Sequence, residues 1–217
     1  KECAADLKKR GLAICVTALA QTGKPQWDFD WRKPSVIVMG NEAEGVSQEF
    51  IKKSIPILSS GEVLTPGSGK NLSSKDGLFY PKNFGYVRIP HKNEVLTIVN
   101  IHGLTFRSDR KLDSPERLRQ SQRIKEFAIK EKRVIICGDF NLLPGIKSLT
   151  IFNDVFVELV QKYNFQTTRS RISPWYGKPD ELKFSDYVFV SPDMEILDFK
   201  VPGVEISDHL PLIMEFS

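Results

Sequence analysis

Seven polar side chains stand at the ends of apolar runs in the second half of the chain, in four short groups. "IVNIHG" carries Asn100 and His102, "GDFN" carries Asp139 and Asn141, "SDYVFVS" carries Asp186, and "ISDHLPL" carries Asp208 and His209. Two of the chain's three histidines fall in this set, with carboxylates in the same set to hold them. A histidine held by an aspartate is the usual general base or phosphate-polarising group. Each group alone fits an ordinary strand terminus. Four of them in this order point to one site.

"VIICGDFNLLP" shows how such a pair is placed. Side chains of a strand alternate between faces, so an extended backbone through Gly138 puts Asp139 and Asn141 on one side and Phe140 on the other. The bland alternative is a turn, because Asp, Asn and Gly favour turns and Pro144 closes the segment.

The elements that must carry these groups are legible from pattern. "FGYVRIP" and "EVLTIVNIHG", joined by "HKNE", predict an antiparallel hairpin. "DSPERLRQSQRIKEFAIKEK" predicts a helix with Ser114 as its cap, Pro115 at its first position and Ile124, Phe127 and Ala128 on one apolar face. A further helix is expected over "SLTIFNDVFVELVQKY", followed by three short strands in "KFSDYVFVS", "EILDFKV" and "SDHLPLIMEF". Upstream, "LAICVTAL" and "PSVIVMG" read as buried strands after a helix end stopped by Gly11, and "SQEFIKKS" as a short helix capped by Ser47. This order of elements predicts a layered α/β protein with a mixed sheet.

The ordered set N-x-H, G-D-F-N, S-D-Y and S-D-H-x-P resembles the C-terminal portion of the endonuclease/exonuclease/phosphatase family, over roughly residues 51 to 217. The resemblance implies a partial four-layer α-β-β-α sandwich and a divalent-metal-dependent phosphoesterase or nuclease that uses magnesium or manganese. By it, His209 activates the attacking water, Asp186 orients His209, and Asp208 binds the metal. His102, Asp139 and Asn141 contact the scissile phosphate or position water. The family's early Asn and its Gln-Glu metal motif have no clear counterpart, since Gln48-Glu49 follows "GNEAEGVS" rather than an apolar strand.

Residues 1 to about 50 instead resemble the SpoU-type SPOUT RNA 2′-O-methyltransferases. Gly40, Asn41, Glu42 and Gly45 match the G-N-E-x-x-G motif of their S-adenosylmethionine pocket, where glycines permit tight turns near the ligand. The later Ser-Leu-Asn segment of that family is missing. An N-terminal α/β fragment of SPOUT type, joined near Phe50 to Pro56, is therefore expected ahead of the nuclease-like body. RNA methylation is the alternative function, and a non-catalytic phosphate-binding remnant is a third.

Composition sets wider limits. The chain has 217 residues, 41% of them hydrophobic, enough for a sizeable core. Its formal charge of +4 permits a phosphodiester or nucleic-acid partner without demanding one. Cys3, Cys15 and Cys137 form no C-x-x-C pair and lie in or near apolar runs, the usage of a reducing cytoplasm. No apolar run approaches the ~20 residues that span a bilayer. Lys1-Glu2-Cys3 is not a natural start, so a truncated front is expected. "GSGKN" departs from a phosphate-binding P-loop, with Leu64 where the first glycine belongs. "TTRSRISPWYG" interleaves Arg169 and Arg171 with Trp175 and Tyr176, a pattern that could grip a phosphate and stack on a base or lipid, or form a solvated loop. Oligomeric state leaves no trace in the sequence.

Overall fold

A computed structural model of the chain describes residues 9, 13–17, 35–39, 59–63, 84–105, 111–178 and 182–217. The expected hairpin forms from β4 (Phe84–His91) and β5 (Glu94–His102), paired antiparallel, with Lys92 taking a left-handed φ of 56° in the turn. Helix α1 (Pro115–Ala128) starts as its sequence dictates. Ser114 is extended, its hydroxyl accepts the Arg117 N–H at 3.2 Å, and Pro115 fills the first turn, where a missing N–H costs nothing. Ile124 and Ala128 are fully buried, and the Phe127 ring meets those of Phe84 and Tyr86 at 5.4 and 4.8 Å, which fixes the helix over β4.

The helix supplies the crossover that a parallel pair requires, and β6 (Arg133–Asp139) lies parallel to β5. Antiparallel to β6 runs β8 (Asp186–Val190). With β3 (Ser59–Val63) and β7 (Val157–Glu158) at the edges, the six-stranded sheet has the order β3-β4-β5-β6-β8-β7. The mixed sheet inferred from the sequence is present.

The single helix expected over residues 148–163 is broken into α2 (Lys147–Thr150), a run of turns, β7 and α3 (Leu159–Lys162). Two interactions outweigh helix propensity here. Val157 pairs with Val190 of β8, and the Glu158 carboxylate accepts the N–H groups of Val160 and Gln161 at 2.7 and 2.8 Å, capping a new helix start.

Two smaller sheets complete the described residues: β9 (Ile196–Lys200) antiparallel to β10 (Ile213–Phe216), and β1 (Ala13–Thr17) parallel to β2 (Ser35–Met39). β2 approaches β10 rather than joining the large sheet. One core runs through the large sheet and takes in Phe199 and Phe216 from the β9–β10 sheet. At its centre the rings of Phe140, Phe152, Tyr187 and Phe189 pack at centroid separations of 5.0 to 6.0 Å. Beside it, the buried Arg117 guanidinium donates to the carbonyls of Leu104 and Leu112, tying the chain after β5 to the chain before α1.

Candidate active site

Register brings the polar strand ends together. His102 of β5 stands opposite Asp139 of β6, and Asp139 stands opposite Asp186 of β8, so three neighbouring strands present a functional group at the same sheet edge. Gly138, just before Asp139, has φ +134°, a conformation open to glycine. Gly103, just after His102, donates its N–H to the Asp139 carbonyl at 2.6 Å and holds the two strand ends in contact.

Asp139 and Asn141 do share a side, though by a different route from continued extension. Asn141 turns with φ 52°, its N–H donates to Asp139 Oδ1 at 2.9 Å, and its Nδ2 donates to Oδ2 at 3.1 Å. The side-chain-to-backbone bond two residues on is the turn chemistry of aspartate. Phe140 faces away into the core, at 1% exposure. Ser185 Oγ also donates to Asp139 Oδ1, and Asn141 Nδ2 lies 3.4 Å from the Gly103 carbonyl, so the pair is held from several directions.

His209 reaches this edge on a short ribbon. Ser170 N–H donates to the Asp208 carbonyl at 3.0 Å and Leu210 N–H to that of Thr168 at 2.9 Å, which sets Arg169 against His209. The buried Thr168 hydroxyl accepts the N–H groups of Ser185 and Asp186 at 3.1 and 3.2 Å and locks the ribbon to the start of β8. His209 Nδ1 then meets Asp186 Oδ2 at 2.7 Å. Burial alone would lower the His209 pKa, yet the hydrogen bond and charge of Asp186 outweigh it and raise the value overall. His102 Nε2 lies 3.9 Å from Asp139 Oδ2.

Two cations share the site. Arg169 Nη1 donates to His209 Nε2 and Nη2 pairs with Asp208 Oδ2 at 3.1 Å, while its buried Nε has no hydrogen-bond partner. Lys111 Nζ donates to the Phe184 carbonyl at 3.0 Å and to Ser185 Oγ at 2.9 Å, and burial lowers its pKa to about 8. Sequence reasoning marked Arg169 only as part of an aromatic-basic loop and missed Lys111 altogether. A lysine within "RSDRKLD" carries no local signal that separates it from a solvated charge. Ser185 was visible only as a neighbour of Asp186.

The structure thus gathers His102, Asp139, Asn141, Asp186 and His209, with Asp208 at the rim, 43% exposed and paired with Arg169. Among the described residues, no three His, Cys, Asp or Glu side chains stand close enough to hold a metal ion. Asp139 is bonded by Ser185 and Asn141, Asp186 by His209, and Asp208 by Arg169. Gly40, Asn41, Glu42 and Gly45, with Gln48 and Glu49, lie outside the described residues.

Residues 67–209 match the Endonuclease/Exonuclease/phosphatase family, and residues 1–59 match the SpoU rRNA Methylase family. No curated protein matches the chain. Among solved structures it resembles a functionally unknown conserved protein from Enterococcus faecalis, with 18% identity and a TM-score of 0.57 over 75% of this chain and 66% of that one. An endonuclease/exonuclease/phosphatase family protein from Bacteroides thetaiotaomicron aligns at 16% identity and TM-score 0.56, over 74% of this chain and 63% of that one. D. rerio TDP2, complexed with a single-strand DNA product, aligns at 12% identity and TM-score 0.55 over 85% of each chain. The fold is therefore that of these proteins, while the chain spans just under two thirds of the length of the first two.

Proposed function

Because the chain belongs to the Endonuclease/Exonuclease/phosphatase family, we propose that it hydrolyses a phosphodiester, with His209 as the base that activates water and Asp186 as the group that orients it. The observation that carries this reading is the 2.7 Å contact of His209 Nδ1 with Asp186, in register with Asp139 and His102. Asp186 accepts a hydrogen bond from Nδ1–H, which leaves the lone pair on Nε2. Nε2 takes a proton from water as the water oxygen bonds to phosphorus and the ester oxygen departs, and the Asp186 carboxylate stabilises the imidazolium so formed. His102, Lys111 and Arg169 supply fixed positive charge or donors for the equatorial oxygens. Asp139 and Asn141 act as positioning residues that hold the β6 end beneath the phosphate.

The family is generally divalent-metal dependent, and bound magnesium or manganese would neutralise phosphate charge. Among the described residues no three metal-binding side chains are gathered, and the roles given above are those of the chain's own groups. Exposed Trp175 and Tyr176, within a few residues of Arg169, favour a nucleic-acid substrate, because any base can stack on an aromatic face. The test is turnover of bis(p-nitrophenyl) phosphate and single-stranded DNA, with and without magnesium, by the chain and by His209→Gln and Asp186→Asn. Loss of turnover in both variants supports the reading, and turnover unaffected by either refutes it. Phosphate binding without turnover in the unaltered chain assigns a non-catalytic phosphate-binding role instead.

The match of residues 1–59 to the SpoU rRNA Methylase family favours a second reading, binding of S-adenosylmethionine through Gly40, Asn41, Glu42 and Gly45. Equilibrium dialysis with labelled S-adenosylmethionine tests it directly, and no retention at millimolar ligand rules it out.

A further inference from the structure

Resting on the phosphoester reading above, we propose that Arg169 is the substrate-phosphate clamp of this site and that it caps Nε2 of His209 until a phosphate draws it away. The guanidinium is a planar fork of N–H donors with no acceptor, the shape that matches two oxygens of one phosphate. At rest its donors are only partly used. One nitrogen donates to His209 Nε2, one is tethered by Asp208 at 3.1 Å, and Nε is buried with no hydrogen-bond partner.

His209 has its Nδ1 turned to Asp186, so Nε2 is the ring nitrogen left to receive a proton from water. Arg169 covers that atom. A phosphate offers the fork two charged acceptors in place of one neutral ring nitrogen, and charge-assisted bonds to phosphate are the stronger kind. The exchange needs side-chain rotation alone, since the ribbon of Thr168 and Ser170 against Asp208 and Leu210 fixes the backbone of both residues. Asp208 then serves to tether the arginine. The base is thereby exposed only when a phosphate is present to be attacked.

The test uses the whole chain, with inorganic phosphate as the probe in calorimetry. Diethyl pyrocarbonate modification at each histidine, read by peptide mass spectrometry, follows the cap. In Arg169→Gln, phosphate affinity falls roughly 10- to 100-fold, the worth of a charge-assisted hydrogen-bond pair. His209 is modified several-fold faster than in the unaltered chain, while buried His91 keeps its rate. Phosphate affinity within twofold of the unaltered chain overturns the clamp, and an unchanged rate at His209 overturns the cap. If His91 also reacts faster, the fold has loosened and Arg169→Lys decides in its place: the lysine keeps the charge but lacks the fork, and must still weaken phosphate binding several-fold. Turnover of bis(p-nitrophenyl) phosphate separates the two readings. A chain that binds phosphate through Arg169 without turnover keeps the clamp and loses the hydrolase, and one that turns over with phosphate binding indifferent to Arg169 keeps the hydrolase and loses the clamp.

Discussion

Gly138→Ala attacks the join on which the site is built. The added Cβ would lie 2.1 Å from the Ile101 carbonyl oxygen and 2.8 Å from Asn100 Oδ1, where ordinary contact begins at 3.4 Å, and the φ of +134° is one that alanine rarely adopts. The first neighbour is backbone of β5, so relief requires that β5 and β6 move apart. Backbone strain of this kind costs about 1–3 kcal/mol, and overpacking a close contact adds about 1–3 kcal/mol. The sum, about 2–6 kcal/mol, is a large part of a typical domain stability of about 5–15 kcal/mol. For a domain of this size it lowers Tm by about 5–20 °C. Asp139 follows Gly138 directly, and displacing a positioned group by about 1 Å costs up to about 100-fold in rate. Thermal melts and turnover are measured beside two controls. Gly145→Ala has φ +80° with nothing within 4 Å of its Cβ, and isolates strain; Gly203→Ala has open space and no such φ, and is neutral. A Gly138→Ala chain that melts with Gly203→Ala and keeps full activity would refute the reasoning.

Three further outcomes follow from the geometry. Asp186→Asn lowers kcat by about 100- to 10,000-fold with circular dichroism unchanged, since the amide cannot stabilise the imidazolium. With His209 as the proposed base the rate needs its neutral form, so in the unaltered chain it falls as pH drops through the raised His209 pKa, and in Asp186→Asn that fall moves to lower pH; a limb that stays in place removes His209 from the role of base. Burial holds Lys111 at about 8 in the folded chain against 10.5 unfolded, so across that window the unfolded chain binds more protons and stability rises with pH. Lys111→Met abolishes this slope in urea melts, and equal slopes for the two chains refute the assignment. Arg117→Leu strands the carbonyls of Leu104 and Leu112 and lowers the unfolding free energy by about 3 kcal/mol, read by denaturant melts.

Local signals proved legible where one residue decides one contact. Ser114 and Pro115 started α1, and the alternation of "EVLTIVNIHG" gave β5, because capping and period act over a single turn or a single face. The polar ends of β5, β6 and β8 were readable for the same reason, and their meeting followed from strand order. What the sequence hid depended on distant partners. The break at Val157 and Glu158 needed Val190, more than thirty residues downstream in β8, to compete with helix propensity. Arg169 and Lys111 became part of the site through Asp208, His209, Phe184 and Ser185, which no periodicity reveals. The turn at Asn141 reached the expected side by a side-chain hydrogen bond where backbone extension was expected, so the placement was right for a different cause.

The pairing of β6 with β8 has a kinetic consequence. Ser185 and Asp139 are 46 residues apart along the chain, and Arg169 and His209 are 40 apart. Each join closes a long loop before any contact rewards it, and chains dominated by such contacts fold slowly. Helix α1 and the β4–β5 hairpin are local and form early, while the edge that carries Asp139, Asp186 and His209 is complete only with the last non-local pairings. Regained turnover in a refolding experiment therefore trails the regained helical signal, and the site itself reports the moment at which the sheet has closed.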